Sequence, residues 1–242
     1  VAKAPETPAV IEEFETGAER LARWIASHPW AAAGVAALVL GTAGAVGGYW
    51  SFRTASEERA SDALDAARVE YLEEMGAGPT ALEVPELANP KAAQEIRERA
   101  LERFRAVAER ESGTAAGALA RFEMADLLDA LGRRDEIPPL LALAAEKAPS
   151  PTLRAIAQRR LGYVHEEAGR FVEAAAAFEA AAAVRDYALR YFALADAARC
   201  TERAGRRAEA LALYDRIASE APELALPEHQ AAQIRELRAA GP

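Results

Sequence analysis

Large apolar residues recur along this chain on a fixed beat. Phe104, Leu141, Phe178 and Tyr214 are separated by 37, 37 and 36 residues, and each has a companion four positions earlier: Ala100, Ile137, Ala174 and Ala210. Gly132, Gly169 and Gly205 fall nine residues before the last three, and Pro149 and Pro222 fall eight residues after Leu141 and Tyr214. A spacing of four puts each companion on the same helix face. The glycine ends one helix and opens a tight turn into the next, and the proline stops the second helix. A unit of this size cannot bury its apolar face alone, so successive units must stack. The expected fold is all-α, a solenoid of helical hairpins with four repeats, the first of them divergent.

The clearest unit contains Leu161-Gly162, Gly169, Phe171, Ala174, Phe178 and Ala181. Position by position these residues resemble the tetratricopeptide pattern, in which small residues let helices approach and large ones fill the gap to the next repeat. The neighbouring units have Met124-Ala125 and Ala197-Ala198 in place of the Leu-Gly pair. Residues 113–226 are assigned to these repeats. Residues 54–112 form a linker helix and the divergent first repeat, with helices expected over 55–75 (Leu64, Ala67, Tyr71 and Met75 on one stripe) and from Lys91 to about Ser112. Between them Gly76, Gly78, Pro79, Pro85 and Asn89-Pro90 signal an inserted loop, and this first unit is expected to have lost the turn glycine. Residues 227–242 are expected to cap the last repeat with a helix through Ile234 and Leu237.

A different pattern precedes the repeats. From His28 to Phe52 no side chain is ionised, and the 21 residues from Trp30 to Trp50 span about 31 Å as a helix, the thickness of a bilayer's hydrocarbon core. One transmembrane helix is therefore expected over 30–53, with Trp30, Tyr49 and Trp50 as interfacial aromatics. Its strongly lipophilic side chains are only Val35, Leu38, Val39, Leu40 and Val46, giving about −1.5 to −3 kcal/mol of insertion energy. Such a span is marginal alone, and the small-residue stripe Ala37, Gly41, Gly44 and Gly48 is expected to pack against another helix. Residues 1–29 form a tail. Thr7-Pro8 starts a helix whose Val10, Ile11, Phe14, Leu21, Trp24 and Ile25 make one apolar face, suited to lying in the membrane interface. Ser27-His28-Pro29 is expected to break that helix and turn the chain at the membrane surface. Ala43-Gly44-Ala45 is like a signal-peptidase site, but a region of about 29 residues with five glutamates before the apolar run is unlike a signal peptide, so the span is expected to be retained. Arginines on both sides (Arg20 and Arg23, then Arg53, Arg59 and Arg68) leave orientation undecided.

Charge and residue chemistry narrow the function. Twenty-nine basic and 38 acidic residues give a net charge of −9, which repels phosphate backbones and disfavours nucleic acid. Three scattered histidines and the single Cys200 supply no metal site or disulfide. There is no phosphate-binding glycine loop, no HExxH and no GxSxG. Adjacent carboxylates such as Glu73-Glu74 and Glu166-Glu167 diverge by about 100° on a helix and cannot flank one bond. His165 is expected to be structural. The expectation is a non-enzymatic protein without cofactor or small-molecule substrate. A hairpin solenoid offers instead a groove lined by the first helix of each pair, here Phe122, Asp126, Arg159, Tyr163, Glu166, Arg199 and Glu202. Aromatics with both charge signs suit an extended peptide or a partner's helix. Asp126, Tyr163 and Arg199 stand where a carboxylate-clamping tetratricopeptide domain has asparagine, so capture of a C-terminal carboxylate is not expected.

The acidic tail, the Gly/Ala-rich span ending in Gly48-Tyr49-Trp50, the helix from Ala60 to Tyr71 and the divergent repeats together resemble the YfgM-type ancillary subunits of the bacterial Sec translocon. The resemblance covers nearly all of the chain. It implies a single-pass inner-membrane protein with its tail in the cytoplasm and its repeats in the periplasm, a scaffold for protein partners beside the protein-conducting channel. The helix expected over residues 8–27 is longer than in that family. A structural or accessory subunit of another membrane complex, in envelope biogenesis or energy conversion, is the alternative.

Overall fold

The computed structural model describes residues 22–81, 83–224 and 228–240. The helix start at Thr7-Pro8 and the apolar positions Val10, Ile11, Phe14 and Leu21 lie outside the described residues; Trp24 and Ile25 are exposed on a helix over 22–27. Among the described residues every regular element is helical. In chain order they are α1 (Pro29–Glu74), α2 (Pro90–Arg110), α3 (Ala115–Ala130), α4 (Ile137–Lys147, entered through a 3₁₀ turn at Arg134–Glu136), α5 (Pro151–Glu167), α6 (Phe171–Ala182), α7 (Arg190–Arg203), α8 (Arg207–Glu220) and α9 (Glu228–Ala240). The chain divides into two compact units, Val1–Ala55 and Ser56–Pro242.

In the first unit, the helix break expected at Ser27-His28-Pro29 is found: residues 22–27 are helical, His28 is not, and α1 begins at Pro29. The His28 N–H donates to Trp24 O as the last bond of the preceding helix, and the Ala32 N–H donates to His28 O as the first bond of α1, both at 2.9 Å. Proline at the first turn of α1 costs the ladder only a donor that is unpaired there in any case. The apolar stretch of α1 is long and uncharged enough to cross a membrane, and it buries nothing within the protein. Trp30 and Leu40 are 89% and 72% exposed. The one hydroxyl in mid-span, Thr42 Oγ1, donates back to Leu38 O and Val39 O at 2.9 Å, which satisfies it without water.

In the second unit, each helix from α2 onward packs on its neighbours in the chain. Residues 56–74 of α1 join the array through Leu64 and Ala67, which share a core with Leu101 and Phe104 of α2. Four hairpins result: residues 56–74 of α1 with α2, α3 with α4, α5 with α6, and α7 with α8. The beat residues are their core. Phe104, Leu141, Phe178 and Tyr214 are at most 2% exposed, and their companions at most 4%. Asn89, Thr114 and Ser150 cap α2, α3 and α5 with side-chain oxygens, and Pro90 and Pro151 occupy the first helical position of α2 and α5. Pro149 and Pro222 each follow a second helix by two residues, as expected. Leu237 of α9 is buried, with Ile234 beside it, against the core of the last pair.

Four turn glycines share one geometry. Gly132, Gly169 and Gly205 have φ of +73°, +72° and +82°, and in each turn the glycine N–H donates three residues back and the following N–H five residues back. Gly76 does the same, at φ +79°, with bonds to Glu73 O and from Ala77 N to Leu72 O. The first repeat has therefore kept its turn glycine, contrary to the sequence expectation. Residues 77–89 separate it from its second helix and so shift it off the beat.

Candidate functional site

The first helices of successive pairs are joined by a series of ion pairs. Arg68 of α1 donates through Nε to Glu123 of α3 at 2.8 Å. Arg160 of α5 pairs with Asp126 of α3, its guanidinium lying 5.1 Å from the centre of the Phe122 ring. Between α5 and α7 the centre is Asp196, which is 7% exposed. Its carboxylate accepts from Tyr163 Oη at 2.9 Å, Arg159 Nη2 at 3.3 Å and Arg199 Nη2 at 2.9 Å. Arg199 also reaches Glu166, where Arg203 joins at 3.4 Å. The guanidinium of Arg159 stacks 5.2 Å from the Tyr163 ring.

The seven groove positions expected from the sequence thus fall into two groups. Phe122 and Asp126 meet through Arg160. Arg159, Tyr163, Glu166 and Arg199 converge around Asp196. Glu202 is half-buried on α7, close enough to Tyr214 for its charge to raise that phenol. Asp196 and Arg160 are absent from the sequence-derived set; repeat arithmetic points to Asp196, which follows Arg159 by 37 residues, one full period, but not to Arg160, which follows Asp126 by 34.

Burial sets the protonation states here. Desolvation raises the Asp196 carboxyl above the usual aspartate value, against the bonds from Tyr163 and Arg159 that favour its charge. Burial, with the Asp196 charge beside it, pushes Tyr163 up to about 12. Tyr214 is pushed up to about 12, chiefly by burial, and its hydroxyl finds no partner among the described residues. Burial also raises the Cys200 thiol and, with Arg170, lowers His165, whose Nδ1 accepts from Arg170 Nε at 3.0 Å. The tyrosines stay phenols and Cys200 stays a thiol at neutral pH. Among the described residues no cluster of His, Cys, Asp or Glu is placed to hold a metal.

Packing explains the Leu161-Gly162 pair. A Cβ built at Gly162 would lie 2.6 to 2.8 Å from three carbons of the Phe178 ring, so only glycine admits that ring. Tyr163 then meets Phe178 edge-on, with centroids 4.9 Å apart at 73°. A cavity of about 270 Å³ opens between the turns of the second and third pairs, with Asp126 and Tyr163 on its wall. In the first unit, Ala37, Gly41, Gly44 and Gly48 lie along one face of α1, and a Cβ built at any of the three glycines meets nothing within 4 Å.

No protein-family model and no curated protein matches the chain. Among solved structures it is similar to the nearly identical TPR-like repeats of a kinesin light chain candidate from Podosopora anserina. The identity is 17%, over 62% of this chain and 84% of that one, with a TM-score of 0.47. A singly substituted form of that protein gives 18% identity over the same shares and the same TM-score. The apo form of RapI is 13% identical over 76% of this chain and 48% of its own, with a TM-score of 0.49. The chain's own helix pairing and turn geometry define it as a hairpin repeat array.

Proposed function

We propose that this chain is a non-enzymatic scaffold, tethered to the bacterial inner membrane by α1, whose repeats hold a protein partner in the periplasm beside the Sec translocon. The observation that carries the reading is one pairing within a single chain: an unburied, uncharged helix segment from Trp30 to Phe52 and a hairpin array with a polar, aromatic first-helix face. A water-soluble protein does not leave so long an apolar stretch uncovered. The face offers no activated nucleophile, since its cysteine and tyrosines are held protonated by burial. The translocon setting comes from the resemblance in tail, span and first helix.

Purification of the full chain from membranes in a mild detergent tests this. Recovery of Sec components is the expected result. Recovery of another membrane assembly without any Sec component would replace the translocon with that assembly. Gly41→Leu with Gly44→Leu tests the span itself: loss of the co-purifying proteins is expected, and an intact complex would leave α1 as a tether only.

A further inference from the structure

We infer that the cavity between the turns of the second and third helix pairs receives a lysine or arginine side chain from an extended segment of the partner. The inference rests on the scaffold reading and specifies what its site selects. At about 270 Å³ the cavity is below the size of drug-sized ligand sites and matches one long side chain. Its apolar part comes from Leu141 of α4 and Val164 of α5, against which an aliphatic stem can lie.

Its charges are not balanced. Arg160 is held by Asp126, and Arg134 by Asp129 at 2.6 Å, so these four cancel in pairs. Asp135 and Glu167 also line the cavity, are exposed, and form no ion pair among the described residues. Arg170 is the remaining cation on the cavity wall; its Nε donates to the neutral His165, which leaves its charge in place, so four carboxylates face three guanidiniums and the lining has a net charge of −1. Two exposed carboxylates outside any ion pair among the described residues therefore face a space of net negative charge that a cationic head can enter, gaining charge-assisted hydrogen bonds. A partner carboxylate would meet repulsion from both. The surrounding field has the same sense, because 25 basic and 33 acidic residues follow Arg53, which steers cationic segments inward.

The probe is a fluorescein-labelled Gly-Ser dodecapeptide carrying three lysines, with a second peptide carrying three glutamates, read by fluorescence polarisation against the full chain in mild detergent. The lysine peptide is expected to bind and the glutamate peptide not to bind. Asp135→Asn with Glu167→Gln should weaken the lysine peptide by about five-fold or more. Glu95→Gln with Glu179→Gln, exposed acids on second helices that make the same change in net charge, should leave it within about two-fold. The inference is overturned if the lysine peptide does not bind, if the glutamate peptide binds as well, or if the two double variants behave alike. Should it be overturned while the full chain still recovers its membrane complex, the scaffold reading stands without this pocket. Selective lysine-peptide binding by a chain that recovers no membrane partner would remove the scaffold reading instead.

Discussion

Gly162→Ala separates packing from helix propensity because the two predict opposite signs. In a helix interior alanine is favoured over glycine by about 1 kcal/mol. At Gly162, however, the new methyl would sit 2.6, 2.7 and 2.8 Å from Cε1, Cδ1 and Cζ of Phe178. Carbon atoms prefer about 3.5–4.0 Å, so the ring must retreat by roughly 1 Å. Phe178 is 0% exposed, is surrounded by Ala174, Ala175, Ala197 and Cys200, and has the Tyr163 ring against it, which leaves little room to move. Overpacking of a dense core costs about 1–3 kcal/mol. Three contacts this short put the cost in the upper part of that range, about 2–3 kcal/mol, so after the propensity gain of about 1 the net loss is about 1–2 kcal/mol, or roughly 2–8 °C in Tm for a unit of this size. Urea unfolding of the full chain in mild detergent, followed by circular dichroism, reads it as a lower midpoint at unchanged slope. In a Phe178→Leu background the methyl has space, and the same substitution becomes neutral or stabilising. Equal or higher stability of Gly162→Ala with Phe178 in place would refute the steric account, as would an equal loss in both backgrounds.

The turn glycines make a second prediction. Gly76→Ala and Gly169→Ala each cost about 1–2 kcal/mol from positive φ alone, since a Cβ at either site meets nothing, and asparagine in place of alanine recovers part of the loss in the same unfolding measurement. Glu74 makes the third. The hydrogen bond from Arg103 at 2.6 Å, with the charges of Arg103 and Arg99, holds its carboxyl below the usual glutamate value. A lowered folded-state pKa stabilises the fold above the ordinary glutamate value of about 4.5, and that contribution is lost as pH falls through the folded-state value. The stability gap between parent and Glu74→Gln should therefore be constant from pH 7 to about 5 and close below it; a gap that persists at low pH would exclude the ion pair as its source.

How much of this was legible in the sequence follows from which forces are local. The hairpins were, because Phe104, Leu141, Phe178 and Tyr214 and their companions repeat the same burial requirement at the same interval, and helix ends are written in Gly, Pro and capping residues a few positions apart. Gly76 was misread because its role is defined by hydrogen bonds to Leu72 and Glu73 and not by distance to the next helix, which the inserted loop had changed. Pro29 was legible as the hairpin ends were: proline suits the first turn of a helix and not its interior, and α1 begins there after a non-helical His28. The groove residues were placed on the correct helices, but their partners were not foreseen. Asp196 stands in an alanine-rich run that reads as core, and only its distance of one period from Arg159 marks it. Positions anticipated as open contacts for a partner are largely engaged with one another, and the cavity beside them, which depends on how two turns pack, has no signature in a linear pattern.

The ion pairs from Arg68–Glu123 to Arg199–Glu166 occur at every boundary between successive first helices, whereas the apolar core lies chiefly within and behind them. A hairpin array is elastic in series, each boundary adding its own compliance. The half-exposed pairs at the first two boundaries weaken as salt shortens the Debye length, whereas Arg199–Glu166, with side chains 21% and 12% exposed, is screened far less and apolar contacts are not screened. Ionic strength therefore softens the first two boundaries before it acts on the folding of the segments, so the same load stretches the array further in concentrated salt than in dilute buffer.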